Sequence, residues 1–192
     1  MQEIEIDAVL HRESRYLCSL NKTMHYSFDY AQQVHIPSNP LQPGPIYFKT
    51  PRKCGIFGVM CEGVPNQVNF LIDEASSTGK GANATISYLH YFFSHHGLGE
   101  SNAHLHADNC AGQKKNNYFL WYFAWRIMSE LHASNFYSFL IAGHTKFSPD
   151  RSFGMIKKAY KVTYVSSLYE FANMVETSSN LGVNKAQLVG TP

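Results

Sequence analysis

Residues 102–131 read NAHLHADNCAGQKKNNYFLWYFAWRIMSEL, and the change of period inside this stretch decides the fold class. Ala103, Leu105 and Ala107 alternate with His104, His106 and Asp108, the period of a strand with one buried face. The turn NCAGQKKN follows. From Asn116 to about Leu131 the chain is apolar nearly all round, which predicts a helix packed on a sheet and covered on several sides. Strand, turn and helix in that order are the unit of an α/β fold, and they leave Asp108 at the strand's C-terminal end.

The flanking sequence extends this unit in both directions. Upstream, STGKGANATISYLHYFFSHHGLGE sets Ile86, Leu89, Tyr91, Phe92 and Phe93 at helical spacing and closes with Gly97 and Gly99. Before it come three strand candidates. MHYSFDYAQQVHIP ends at Pro37, ahead of the loop PSNPLQPGP; IYFKT and CGIFGVMCEG read as one strand broken at PRK or as two; QVNFLIDEA is the last. Short links between sequential strands point to an antiparallel meander. Downstream, NFYSFLIAG reads as a strand, and Ser148 and Pro149 resemble an N-cap and first helical residue, with Asp150 in the first turn of a helix running to about Lys161. VSSLYEFANMVETSSN predicts a further short helix and LGVNKAQLVGTP a loose end. The expected organisation is an N-terminal lead-in over 1–23, a core over 24–175 and a C-terminal tail over 176–192. The core is an α/β mixed five-stranded sheet, three antiparallel strands then alternating helix and strand, flanked by helices. That is the element order of the ribonuclease H-like fold.

The composition fits one folded domain: of 192 residues, 44% are hydrophobic, 14% aromatic and 16% charged. The net charge of +2 permits an anionic partner without requiring one. Cys18, Cys54, Cys61 and Cys110 form no CxxC pair, which argues against a structural zinc site or a disulfide framework and for a reducing compartment. No apolar run reaches the roughly 18–20 residues of a membrane span, and MQEIEIDAVLHRESRY is too acidic for a signal peptide. The expectation is a soluble protein, nuclear or otherwise intracellular, with no membrane partner.

Three carboxylates fall where such a sheet exposes chemistry: Asp29 on the first strand, Asp108 after the fourth, and Asp150 in the helix after the fifth. The first and fourth strands of a mixed sheet can lie side by side. Convergent carboxylates oppose one another's ionisation unless a cation holds them, and oxygen donors of this kind suit two Mg²⁺ or Mn²⁺ ions and not Zn²⁺. A two-ion site of this kind cuts or joins phosphodiesters.

The segments FDYAQ, IYFKTPRKCGIFGV, GKGANATISYLHYF, HADNCAGQKKNNYFLWYFAWR and GHTKFSPDRSFGMIKK, spread over roughly residues 24–170, resemble a family of transposon-derived domains of unknown function thought to be ribonuclease H-like transposase or integrase cores. The resemblance implies metal-dependent cleavage and strand transfer of DNA. It implies Asp29 as first acid, Asp108 as second and Asp150 as third, with His144 of GHTKF a further metal ligand or proton shuttle. The partner implied is DNA, with a homo-oligomer left open. Where the resemblance leads one to expect GQNKN this chain has GQKKN, with Lys114 in place of Asn. The helix GANATISYLHYFFSHH has no Asp or Glu; ribonuclease H proper carries a catalytic Glu there, whereas transposase and integrase cores take their third acid later.

Each assignment has a plainer alternative. Asp29 can be a solvent-facing strand residue, Asp108 a cap for the next turn or helix, and Asp150 a first-turn carboxylate held by the helix dipole. His144 can be a buried histidine bonded to backbone, and Glu74 is a reserve acid. Arg52, Lys53, Gln113, Lys114, Lys115, Lys146 and Arg151 lie in or near loops beside the acids and can contact phosphates, or be ordinary surface. The alternative for the whole chain is a domesticated, catalytically inactive domain that binds DNA or protein.

Overall fold

The computed structural model describes residues 23–41, 50–77, 79–110, 114–140 and 147–190. In chain order they form β1 (Thr23–Ile36), β2 (Arg52–Cys61), β3 (Asn66–Asp73), a 3-10 turn (Glu74–Ser76), α1 (Ala82–His95), β4 (Asn102–Ala107), α2 (Asn117–Met128), β5 (Ser134–Phe139), α3 (Ser148–Val162), α4 (Leu168–Thr177) and β6 (Asn184–Val189). The strands make one six-stranded sheet in the order β5-β4-β1-β2-β3-β6. β1 and β4, β4 and β5, and β3 and β6 are parallel. β2 and β3 are joined by residues 62–65 alone, a connection too short for a parallel crossover, so the sheet is mixed.

The sheet therefore has six strands where the sequence predicts five. The added strand, NKAQLV, comes from the supposed loose end after residue 176. Its sequence has no clean apolar alternation because amides help hold it. Asn184 is 2% exposed, and the buried Asn69 donates to Asn184 Oδ1 at 3.3 Å and to the Lys185 carbonyl at 3.2 Å. Residues 1–22 of the lead-in and residues 46–49 of IYFKT lie outside the described residues.

The chain divides into two compact units. The first holds β1 through Phe28, Val59–Pro65 with the end of β2, α1, β4, α2 and β5. Parallel register sets Met24 against Ala103, His25 against His104, Tyr26 against Leu105 and Ser27 against His106. One face of this pair is apolar: Tyr26, Phe28, Ala103, Leu105 and Ala107 are all fully enclosed. α1 packs Phe92 and Phe93 edge-on to Tyr26, with ring centroids 5.3 and 5.5 Å away. α2 sets Phe119 parallel to Phe28 at 6.1 Å.

α2 starts where the Asn116 side chain accepts from the Tyr118 N–H at 3.1 Å, so Asn116, not Asp108, caps it. Past its end the chain turns at Glu130, in the left-handed region at φ 57°, and the Leu131 N–H bonds back to the Arg126 carbonyl at 2.9 Å. Its buried residues are Phe119, Tyr122, Phe123 and Arg126, one stripe at helical spacing. Tyr118, Leu120, Trp121, Trp125 and Met128 are exposed. The expectation of a helix covered on several sides is thus corrected: among the described residues only one stripe is covered.

The second unit holds β1 from Asp29, β2 to Gly58, β3, α3, α4 and β6. Ile36, Cys54, Ile56, Leu71, Ile156, Val165, Phe171, Met174 and Val175 form its core. α3 spans Ser148–Val162 with Phe147 as N-cap, one residue earlier than the sequence suggests. Pro149 falls in the first turn, where its missing N–H costs nothing.

Candidate functional site

The register that turns Tyr26 and Leu105 toward the helices turns His25, His104 and His106 to the opposite face. His25 Nδ1 lies 3.1 Å from His106 Nε2, and the His104 and His106 rings stack with centroids 4.5 Å apart. One ligand atom from each of the three lies within 4.8 Å of the others, an arrangement that could form a metal site. Ser138 Oγ, one strand over on β5, is 2.7 Å from His104 Nε2. Burial pushes His25 and His106 down to about 4, with the charge of neighbouring imidazoles adding to it, and burial lowers His104 as well. At neutral pH all three are uncharged and each offers a lone pair.

Asp108 follows β4 directly and meets Lys114 across the turn. The Lys114 side chain is fully enclosed, with its ammonium 2.8 Å from Asp108 Oδ1, while the Asp108 side chain is 43% exposed. Oδ1 itself is sealed from water and has no hydrogen bond of good direction, so the contact is a charge pair and the remaining carboxylate surface faces solvent. The Lys114 ammonium also stands 5.8 Å from the centre of the Phe28 ring. Tyr137 donates to the Lys114 carbonyl at 3.0 Å, and burial, with the Asp108 charge second, pushes its phenol far up. Lys114, expected among the phosphate contacts, is thus spent on the second acid. Lys115 is exposed, with its ammonium 5.4 Å from the Phe139 ring centre.

The other two expected acids belong to the second unit. Asp29 is half-buried and its Oδ1 accepts from the Tyr30 N–H at 2.7 Å. Asp150 is exposed in the first turn of α3. It lines a cavity of about 530 Å³ between the later part of β1 and α3, with Tyr30, Ile56, Phe153 and Lys157 among its walls. Arg52 grips Asp73 with two bonds of 2.5 Å, and the reserve acid Glu74 accepts from the Lys53 N–H at 3.0 Å. Arg151 is exposed next to Asp150. Gln113, His144 and Lys146 lie outside the described residues.

Sequence reasoning placed His104 and His106 on the polar face of a strand but missed their partner. His25 lies on another strand, 81 positions from His106, and only the β1–β4 register reveals the meeting. No disulfide joins Cys54, Cys61 and Cys110 to one another, and no described helix is long and apolar enough to cross a membrane.

Fold and site define the class as an α/β protein with a mixed six-stranded sheet flanked by helices. On one part of that sheet imidazoles cluster and an acid–ammonium pair follows the strand. The profile of the family described as Domain of unknown function (DUF7869) matches residues 49–190, and the chain belongs to that family. No curated protein and no solved structure gives a significant match.

Proposed function

We propose that the chain is a ribonuclease H-like polynucleotidyl transferase core of the transposase and integrase type, acting on DNA. The observation that carries this reading is the strand order: β4 and β5 follow a three-strand run and add in parallel beside β1. Along the β1–β4 pair the last partners are Ser27 and His106, and two residues further along each chain segment stands an acid, Asp29 and Asp108. Asp29, Asp108 and Asp150 are the proposed ligands. Carboxylate oxygens suit Mg²⁺ or Mn²⁺, and the solvent-facing part of Asp108 leaves room for one more cation contact. Two such ions supply an activated water or hydroxyl and stabilise the leaving oxygen. The chain's own part is to supply the three carboxylates and to meet phosphates with exposed cations such as Lys115 and Arg151.

The Lys114–Asp108 pair supports a second reading, a core that has lost catalysis and binds DNA or protein. An enclosed ammonium already neutralises the second acid, and a divalent ion must share or displace it. The two readings separate on one experiment: cleavage of end-labelled DNA with Mg²⁺ and with Mn²⁺ by wild type, Asp108→Asn and Lys114→Asn. Catalysis predicts cleavage by wild type that Asp108→Asn abolishes. No cleavage by wild type, with cleavage or tighter Mn²⁺ binding restored in Lys114→Asn, identifies a core silenced by its own lysine. No cleavage and no Mn²⁺ binding in any of the three removes the two-ion site altogether.

A further inference from the structure

We propose that His25, His104 and His106 form a second, chemically distinct site that binds a single transition ion of the Zn²⁺ class. Three imidazoles from two adjacent parallel strands meet on one sheet face, with their ligand atoms within 4.8 Å of one another. The donor set decides the ion: neutral imidazole suits Zn²⁺, Co²⁺ and their neighbours, whereas Mg²⁺ and Ca²⁺ require oxygen.

Geometry favours the same class. Nitrogens about 2.05 Å from a tetrahedral Zn²⁺ lie about 3.3 Å apart. The His25–His106 pair is already at 3.1 Å. The three ligand atoms lie within 4.8 Å of one another, so the rings must draw closer to reach the spacing that one ion imposes. A shared proton also accounts for the 3.1 Å contact, but it does not involve His104, whose ligand atom lies in the same cluster. Nε2 of His25 is buried with no hydrogen-bond partner among the described residues.

The surroundings supply what such a site needs. Ser138 Oγ holds His104 Nε2 at 2.7 Å, the kind of outer partner that fixes a ligating ring's tautomer and orientation. His25 is nearly enclosed, whereas His104 and His106 are half-buried, so the ion has one protected side and one accessible side. Three protein donors leave the fourth tetrahedral position to water or a small anion, the pattern of zinc sites that do chemistry and not of those that only brace a fold. The site stands on the first unit alone and does not depend on the carboxylates binding Mg²⁺.

The test uses the full chain without a histidine tag, titrated with Zn²⁺ by calorimetry and with Co²⁺ by visible absorption. The expected result is one ion per chain, with the intense ligand-field bands of four-coordinate Co²⁺, unaffected by excess Mg²⁺. His106→Ala is expected to weaken binding at least about a hundredfold, and Ser138→Ala by about 10–100-fold. Asp150→Asn leaves Co²⁺ binding intact whatever it does to DNA cleavage, so the two sites fail independently. Absence of saturable 1:1 binding by folded wild type overturns the proposal, and this outcome needs no variant. Equal binding by a His104→Ala/His106→Ala chain with wild-type circular dichroism overturns it too, because the ion then sits elsewhere among the ten histidines.

Discussion

Removing the carboxylate of Asp108 should destabilise the protein through the lysine it leaves behind. Breaking a buried ion pair from one side costs about 3–5 kcal/mol, whereas an exposed pair is worth under about 1 kcal/mol. Lys114 is fully enclosed but 43% of the Asp108 side chain is in water, so the pair falls between these limits, at about 2 kcal/mol. For a chain of this length that is a fall in Tm of about 4–8 °C. Asp108→Asn keeps an oxygen acceptor and should lose about half as much. Lys114→Met fills the enclosed volume without a charge, and combined with Asp108→Ala it should recover most of the loss. The assay is urea denaturation of the four proteins of this cycle, followed by circular dichroism. If Asp108→Ala costs less than about 0.5 kcal/mol, or Lys114→Met gives no relief, the ammonium is not held by Asp108 and the electrostatic argument fails. The cycle also protects the enzymology: cleavage lost in Asp108→Ala alone reports chemistry only if Asp108→Asn, better folded, loses it as well.

Two further outcomes follow from the packing. A methyl group on Gly58 would sit 2.5 Å from Gln67 Nε2 and 2.7 Å from Phe153 Cζ, and Gln67 is tied to Asn69 at 2.8 Å, so Gly58→Ala should cost about 1–3 kcal/mol; an unchanged melting temperature would show that this contact yields freely. Burial alone would raise the Glu100 carboxyl, but hydrogen bonds led by His132 hold it below 4.5. Its stabilisation is complete above 4.5 and disappears as pH falls through the lower folded value. Melting temperatures taken from pH 6 down to about pH 3 should therefore fall more steeply for wild type than for Glu100→Gln, and parallel curves would sink the assignment.

The elements that sequence revealed are those whose burial follows a period. The alternation of Ala103, Leu105 and Ala107 is the buried face of β4, and the run beginning at Asn117 is α2. β6 escaped because its hold on β3 is backbone pairing and buried amides, neither of which leaves an apolar rhythm. The outer face of α2 misled because aromatic content was read as burial, whereas only the 119, 122, 123 and 126 positions face the sheet. Asp108 at a strand end was legible, and its lysine partner was not. Lys114 lies in a turn rich in polar residues, where charge ordinarily means solvent. The imidazole cluster needed the strand register, which composition cannot carry.

Both tryptophans of the chain, Trp121 and Trp125, stand on the uncovered face of α2, 65% and 47% exposed. The intrinsic fluorescence of the folded protein therefore comes from indoles already in contact with water. Unfolding will shift that emission little, so a fluorescence melt would understate the cooperativity of the core. A partner that settles on this helix would dry both indoles at once, and its arrival would be readable as a blue shift without any label.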